Sequence, residues 1–300
     1  MKVLPLSLPL SRLSLPSARG PVPRRPRPSS ALLGATALEL AVLAGHLLIY
    51  PLGLTQERHG PAPTPGAAPP RGIGPDAPPA GTTALPAGPA PPPVVLLHGL
   101  IDNRSVFVLL RRSLSRHGRR HLESLNYSPL TRDIRTAAEL LGRHIEEICA
   151  RTGHREVDIV GHSLGGLIAR YYVQRLGGDH RVRTLITLGT PHGGTAVAPA
   201  ASAHPLVRQM RGGSSVIEEL RRPAPGCRTR FVSFWSELDR MMVPVGTARI
   251  DHPDLDARNV RVSGIGHLAL TVHPAVAAAI RAALDAQAPP APSSGTASVA

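Results

Sequence analysis

Lysine is nearly missing from this chain: Lys2 is the only one in 300 residues, so the formal charge of +14 rests on arginine. Aromatic residues are as scarce, at 3%. With no stacking stripe and no basic helix to accompany the charge, no nucleic-acid partner is expected. The surplus of Arg, Ala, Pro and Gly reads instead as GC-rich coding, and attraction to anionic lipid stays open. Two cysteines, Cys149 and Cys227, allow either one disulfide in an exported chain or two unpaired apolar side chains. No internal repeat occurs. No acid or His/Cys cluster has ligand spacing; Asp251, His252, Asp254 and Asp256 read as a polar loop, so neither metal nor cofactor is expected.

What the chain does contain is unevenly spread. Its 29 glycines and 33 prolines cannot all sit in packed core, and 300 residues suffice for one or two domains. Residues 1–30 form a basic, low-complexity N-terminal region. Residues 31–54 are the longest apolar run, roughly long enough to cross a bilayer. Lys2, Arg12, Arg19, Arg24, Arg25 and Arg27 precede it, whereas only Arg58 soon follows, an asymmetry that keeps the N-terminus cytoplasmic. Glu39 and His46 interrupt the run; seven residues apart, they share one helical face, and each is costly in lipid. Three readings stand for this segment: a membrane anchor, a signal peptide, or a helix packed on the soluble domain. The chain would accordingly be tethered facing the cell exterior, or secreted. Residues 55–93, rich in Pro, Ala and Gly, read as an extended linker, and 287–300 as a disordered C-terminal tail.

Between 94 and 286 the texture is that of a folded domain. Apolar strands at PVVLLHG, HLESLNY, VDIVGHS, VRTLITLGT, RTRFVSFW and ARNVRVSG alternate with helical periodicity. Helices are predicted over 104–117, 131–152 with Thr131 as N-cap, 164–176, 204–222 and from Pro274 to about Leu284. This alternation predicts a mostly parallel sheet with helices on both faces and a ligand site outside the carboxyl ends of the strands. The oligomeric state is not legible.

The sharpest motif is Gly161-His162-Ser163-Leu164-Gly165, between a strand and a helix. Glycines two before and two after let strand and helix pass closely, while a tight turn projects the serine above the sheet. A serine hydroxyl needs a base, and the base an acid to orient it. With chain order Ser, acid, His, the candidate base is His267, which sits between the last strand and the last helix, in preference to His252 or His273. The candidate acid is Asp239, after RTRFVSFW, with Glu237 as runner-up. The oxyanion hole is assigned to the backbone N–H groups of Leu164 and of Leu100, with Gly99 permitting close approach and His98 tethering that loop.

VVLLHG, VDIVGHSLGG, LITLGTPHGGT, SELDRMMVP and GIGHLAL together resemble the α/β-hydrolase lipases and esterases, particularly bacterial triacylglycerol-lipase-like proteins of actinobacterial type. The resemblance implies hydrolysis of lipid or small carboxylic esters through an acyl-enzyme on Ser163; an acyltransferase or thioesterase would reuse the same residues. It also implies that the segment from Gly189 to Thr195 shapes a wall of the site, with no chemistry assigned to His192. Residues 191–227 are the only room for a cap and are broken by Gly, Arg and Pro, so a small lid or none is expected.

Overall fold

In a computed structural model of the chain, residues 30–54, 90–127, 131–197 and 204–286 are described. The basic N-terminal region, most of the linker and the C-terminal tail lie outside them, as do 198–203 within the segment read as a reduced cap.

Six strands form one sheet in the order β2-β1-β3-β4-β5-β6, and every neighbouring pair is parallel. They are β1 (Val94–Leu97), β2 (Leu122–Leu125), β3 (Val157–His162), β4 (Val182–Leu188), β5 (Arg230–Ser236) and β6 (Asp256–Val262). β1 and β3 are buried at every position, which is why they read as unbroken apolar runs rather than alternating ones. Their side chains nevertheless divide between the faces with period two. Val95, Leu97 and Ile159 join the cluster under α3 (Ile134–Thr152) and α4 (Leu164–Arg175); Val94, Leu96 and Val160 join the one under α2 (Val108–Arg116) and α7 (Pro274–Asp285). Each fully buried aliphatic side chain contributes about 1.5–3 kcal/mol.

The cap of α3 differs from the expectation. Asp133, not Thr131, is its N-cap: the Asp133 carboxylate accepts the Arg135 N–H at 2.7 Å and the Gln209 side-chain amide at 3.1 Å. Gln209 lies at the end of α5 (Pro205–Gln209), and its Oε1 accepts the Ile134 N–H at 2.8 Å. This tertiary bracket starts the helix two residues later than the local pattern indicates. The region 204–222 forms two short helices, α5 and α6 (Ser215–Arg221). Cys149 and Cys227 are free thiols, both pushed up by burial.

Two features of the sheet position the site. At its amino end, fully buried Asp158 is held by Arg183 at 2.6 and 3.0 Å and lies 3.5 Å from Arg119; burial still pushes its carboxyl up. At its carboxyl end the chain leaves β1 towards β2 on one side, while β3 lies on the other, which opens a crevice between the ends of β1 and β3. Helix α1 (Ser30–Ile49), continued by a 3-10 turn at Tyr50–Gly53, lies beside that end. The stretch Leu32–Gly53 is long and apolar enough to cross a membrane by length and composition.

Candidate active site

Ser163 links β3 to α4 with φ 51° and ψ −118°, and among the described residues it alone has a left-handed φ without being glycine. Such a backbone costs about 1–3 kcal/mol and persists only where its surroundings fix it. Here the Ser163 N–H donates to the Leu188 carbonyl at 2.9 Å, tying the turn to the end of β4. The flanking glycines are steric requirements. A Cβ on Gly165 would stand 2.3 Å from the Leu97 carbonyl oxygen, and one on Gly161 would stand 2.6 Å from the Gly166 Cα. Side chains there would push α4 off the sheet.

His267 and Asp239 meet beside this turn. His267 Nδ1 lies 2.8 Å from Asp239 Oδ2, and both side chains are buried. Asp239 also accepts the Met241 N–H at 2.9 Å, which fixes its rotamer. The His267 ring lies 4.7 Å from that of His162, the residue before Ser163. Burial works against charge on His267, but the carboxylate and hydrogen bond of Asp239, with help from Glu39 and Asp102, outweigh it and hold the histidine above its usual value. Gly189, at φ 54°, makes this meeting possible: a Cβ there would come within 2.9 Å of both Asp239 Oδ2 and His267 Nδ1.

The other candidates are engaged elsewhere. Glu237 pairs with Arg261 at 3.2 Å on the surface. His252 Nε2 lies 3.0 Å from the Arg222 carbonyl, His273 precedes α7 as its N-cap residue, and the Asp254 carboxylate accepts the Ala224 N–H at 2.7 Å. His192 is buried, with Nε2 2.9 Å from the Thr187 hydroxyl, and burial pushes it well below its usual value. Its backbone carbonyl accepts from Arg170, so it is part of a wall.

The loop after β1 closes the crevice against Ser163. A Cβ on Gly99 would be 3.5 Å from the Ser163 Cβ and 2.7 Å from Asp102 Oδ2, so only glycine lets the loop approach this far. Half-buried Tyr127, beyond β2, stacks on His98 at 4.2 Å and points its hydroxyl at the His98 and Gly99 carbonyls, at 2.5 and 2.7 Å. His98 Nδ1 lies 2.8 Å from the Gly99 carbonyl as well. In a trans peptide the N–H points opposite to the C=O, so holding the Gly99 carbonyl turns the Leu100 N–H away from Tyr127. Leu164 is the first residue of α4, where a backbone N–H has no intrahelical acceptor. Beside this loop a cavity of about 430 Å³ is lined by Tyr50, Leu100, Ile101, Tyr127, Leu206 and Val207, among others.

Four further residues belong to the site and carry no motif. Asp102 Oδ2 lies 3.3 Å from His162 Nδ1, and its Oδ1 lies 3.4 Å from His46 Nε2 on α1. Burial works against the Asp102 charge, but the neighbouring histidines prevail and hold its carboxyl below its usual range. Glu39, also on α1, accepts the backbone N–H groups of Leu268 and Ala269 at 3.0 and 2.8 Å, immediately after His267. Tyr127 is the fourth. The only sequence signal among them is the seven-residue spacing that puts Glu39 and His46 on one helical face.

The sequence model of the palmitoyl protein thioesterase family matches residues 93–245, just over half of the chain. The chain belongs to that family. It is an α/β hydrolase of the lipase and esterase type. Two curated relatives are triacylglycerol lipases. The one from Pseudarthrobacter phenanthrenivorans is 28% identical over 113 residues, 35% of this chain and 35% of that protein. The one from Burkholderia plantarii is 29% identical over 113 residues, 35% of this chain and 31% of that protein. The aligned stretch thus spans about a third of either relative. Among solved structures, a Bacillus licheniformis lipase in mature form superposes with TM-score 0.56 at 18% identity, covering 65% of this chain and 93% of that one. Aspergillus fumigatus lipase B gives TM-score 0.60 at 17% identity, covering 66% and 54%. At these identities the structures establish the shared fold.

Proposed function

We propose that this chain hydrolyses fatty acyl esters through an acyl-enzyme on Ser163, with His267 as general base and acid and Asp239 as the group that orients it. One juxtaposition carries this reading: a serine held at φ 51° follows His162, whose ring lies 4.7 Å from that of a buried histidine bonded at 2.8 Å to a buried aspartate. His267 Nδ1–H donates to Asp239, which leaves Nε2 to take the Ser163 proton as Oγ attacks the acyl carbon. The Leu100 and Leu164 N–H groups stabilise the resulting oxyanion; one such donor is worth about 10²–10³ in rate. The intermediate collapses as His267 passes its proton to the leaving oxygen or sulfur. Water then attacks the acyl-enzyme along the same path, releasing the fatty acid and returning the proton to Ser163. The cavity beside Leu100 supplies an apolar wall for an acyl chain. The apolar segment Leu32–Gly53 attaches the enzyme to a membrane.

Hydrolysis of p-nitrophenyl esters from acetate to palmitate, with Ser163→Ala in parallel, tests the reading. Turnover should fall by a factor of about 10⁵ or more in the variant; retained turnover would discard Ser163 as nucleophile, and the chain-length optimum divides lipase from esterase. The family match favours a second reading, thioester cleavage. A thiolate is a better leaving group than an alkoxide and needs less help from His267. Peptides of one sequence carrying O-palmitoyl serine or S-palmitoyl cysteine separate the two by their kcat/KM ratio.

A further inference from the structure

Helix α1 has two stripes of opposite use. Ala35, Glu39, Val42, His46 and Ile49 recur at intervals of four and three, so they line one face. This face meets the hydrolase domain. Glu39 caps the turn after His267, His46 lies against Asp102, and Val42 packs on the core between β-sheet and α7. Gly266 provides the room, since a Cβ there would come within 2.6 Å of the Glu39 side chain. The Tyr50 hydroxyl donates to the Ile101 carbonyl at 3.1 Å, and Asn126 donates to the Gly53 carbonyl at 2.7 Å, pinning the end of the segment. Leu33, Leu40, Leu43 and Leu47 form the opposite stripe and are 40–62% exposed.

This is the reverse of a soluble surface helix, which turns its leucines inward and its charges out. Of the two polar side chains that make a membrane crossing costly, Glu39 accepts the enzyme's own backbone N–H groups and His46 lies buried against Asp102, while the leucine stripe faces outward. Leu48, Leu52, Ile101, Val108 and Leu109 are exposed as well. The sequence before the helix adds Lys2 and five arginines, which complement anionic headgroups.

We infer that α1 lies in the plane of one membrane leaflet while docked on the hydrolase domain, its leucine stripe in the acyl region of an anionic bilayer and its Glu39–His46 face on the rim of the active site. A helix crossing the bilayer would have to release Glu39 from the Leu268 and Ala269 N–H groups and carry it into lipid. In plane, the helix keeps these bonds and opens the crevice directly to acyl chains held in the leaflet. The inference rests on the proposed membrane attachment and does not depend on the chemistry at Ser163.

The test uses the full chain with Cys149→Ala and Cys227→Ser, plus Ser30→Cys and Leu54→Cys at the two ends of the segment. Protein bound to sealed vesicles of phosphatidylcholine and phosphatidylglycerol is exposed to a membrane-impermeant maleimide and weighed intact. Two labels on each molecule are expected; a population carrying one label would mean that the segment spans, overturning the in-plane placement while leaving membrane attachment intact. Failure to float with these vesicles would overturn both, and a dimer formed in their absence would assign the stripe to a second copy. Leu40→Glu with Leu47→Glu should cut the floated fraction at least tenfold with the thermal midpoint retained; an unchanged fraction would also overturn the inference. Esterase turnover of the unmodified chain, measured separately, reports on Ser163 alone.

Discussion

Each end of the sheet buries an aspartate, and the two have different partners. At the amino end Asp158 meets Arg183 and Arg119, which do not release protons at any ordinary pH. At the carboxyl end Asp239 meets His267, whose proton is exchangeable near neutrality. Both carboxylates are almost fully removed from water. Burial therefore does not separate a structural charge from the one proposed for chemistry; the partner does. The backbone differs as well: the amino end carries a register shift between Val157 and Asp158, whereas the carboxyl end holds the strained Ser163 and the left-handed Gly189.

Two substitutions should separate these roles. Asp239→Asn keeps the shape but loses the charge and lets the amide favour the wrong histidine tautomer. A fall in kcat of about 10³–10⁴ is expected, with little change in melting temperature. Asp158→Ala should do the opposite. Leaving Arg119 to the exposed Asp285 carboxylate and Arg183 to the Leu284 carbonyl costs about 3 kcal/mol of stability, read in a urea titration, while kcat of the protein that remains folded stays near wild type. If Asp158→Ala removed activity without destabilising, or Asp239→Asn destabilised without slowing turnover, the contrast between the ends would be wrong. Glu237→Gln is the control, since its carboxylate pairs with a surface arginine, and kcat should change less than about twofold.

These roles were unequally legible. The strand-turn-helix around Ser163 is local, and periodicity with two glycines suffices to read it. Asp239 and His267 are 28 residues apart, yet fold class and chain order narrow each to a short loop. The contributions of Asp102, Tyr127, Glu39 and His46 were not legible, because their partners are distant or nondescript in sequence. Glu39 meets Leu268 and Ala269 some 230 positions away, and it bonds their backbone, so no side-chain pattern marks the pair. Thr131 shows the same limit on a smaller scale. The local pattern offers it as a cap, but Gln209 on another helix selects Asp133. Of the segment 31–54, sequence left anchor, signal and packed helix open; a docked face with a bare opposite stripe is a property of three dimensions.

Tyr127→Phe probes the carboxyl end more gently. It keeps the stack on His98 and removes only the hydroxyl that holds the Gly99 carbonyl. Because that carbonyl orients the Leu100 N–H, the loss should appear in kcat more than in KM, by about tenfold, a fraction of what losing an oxyanion donor costs. An equal rise in KM with kcat unchanged would move Tyr127 from the oxyanion loop to substrate binding.

The smallest effect expected is a shift in pH. In the proposed mechanism His267 must be neutral to accept the Ser163 proton, so kcat/KM should rise with pH through the His267 titration. Burial alone would put that titration below the ordinary histidine value, but the Asp239 carboxylate reverses the sign and holds it above. In Asp239→Asn the favourable charge is gone while the burial remains. The midpoint of the residual activity should therefore move to lower pH, even though the plateau is far lower. The stability linkage runs in the same direction: the protonated His267–Asp239 pair stabilises the fold fully below the unfolded histidine value, and this contribution fades as pH rises through the folded one. A midpoint that stayed in place in Asp239→Asn would mean that the titrating group behind the rate is not His267, and the neighbouring pair of Asp102 and His162 would be the next to examine.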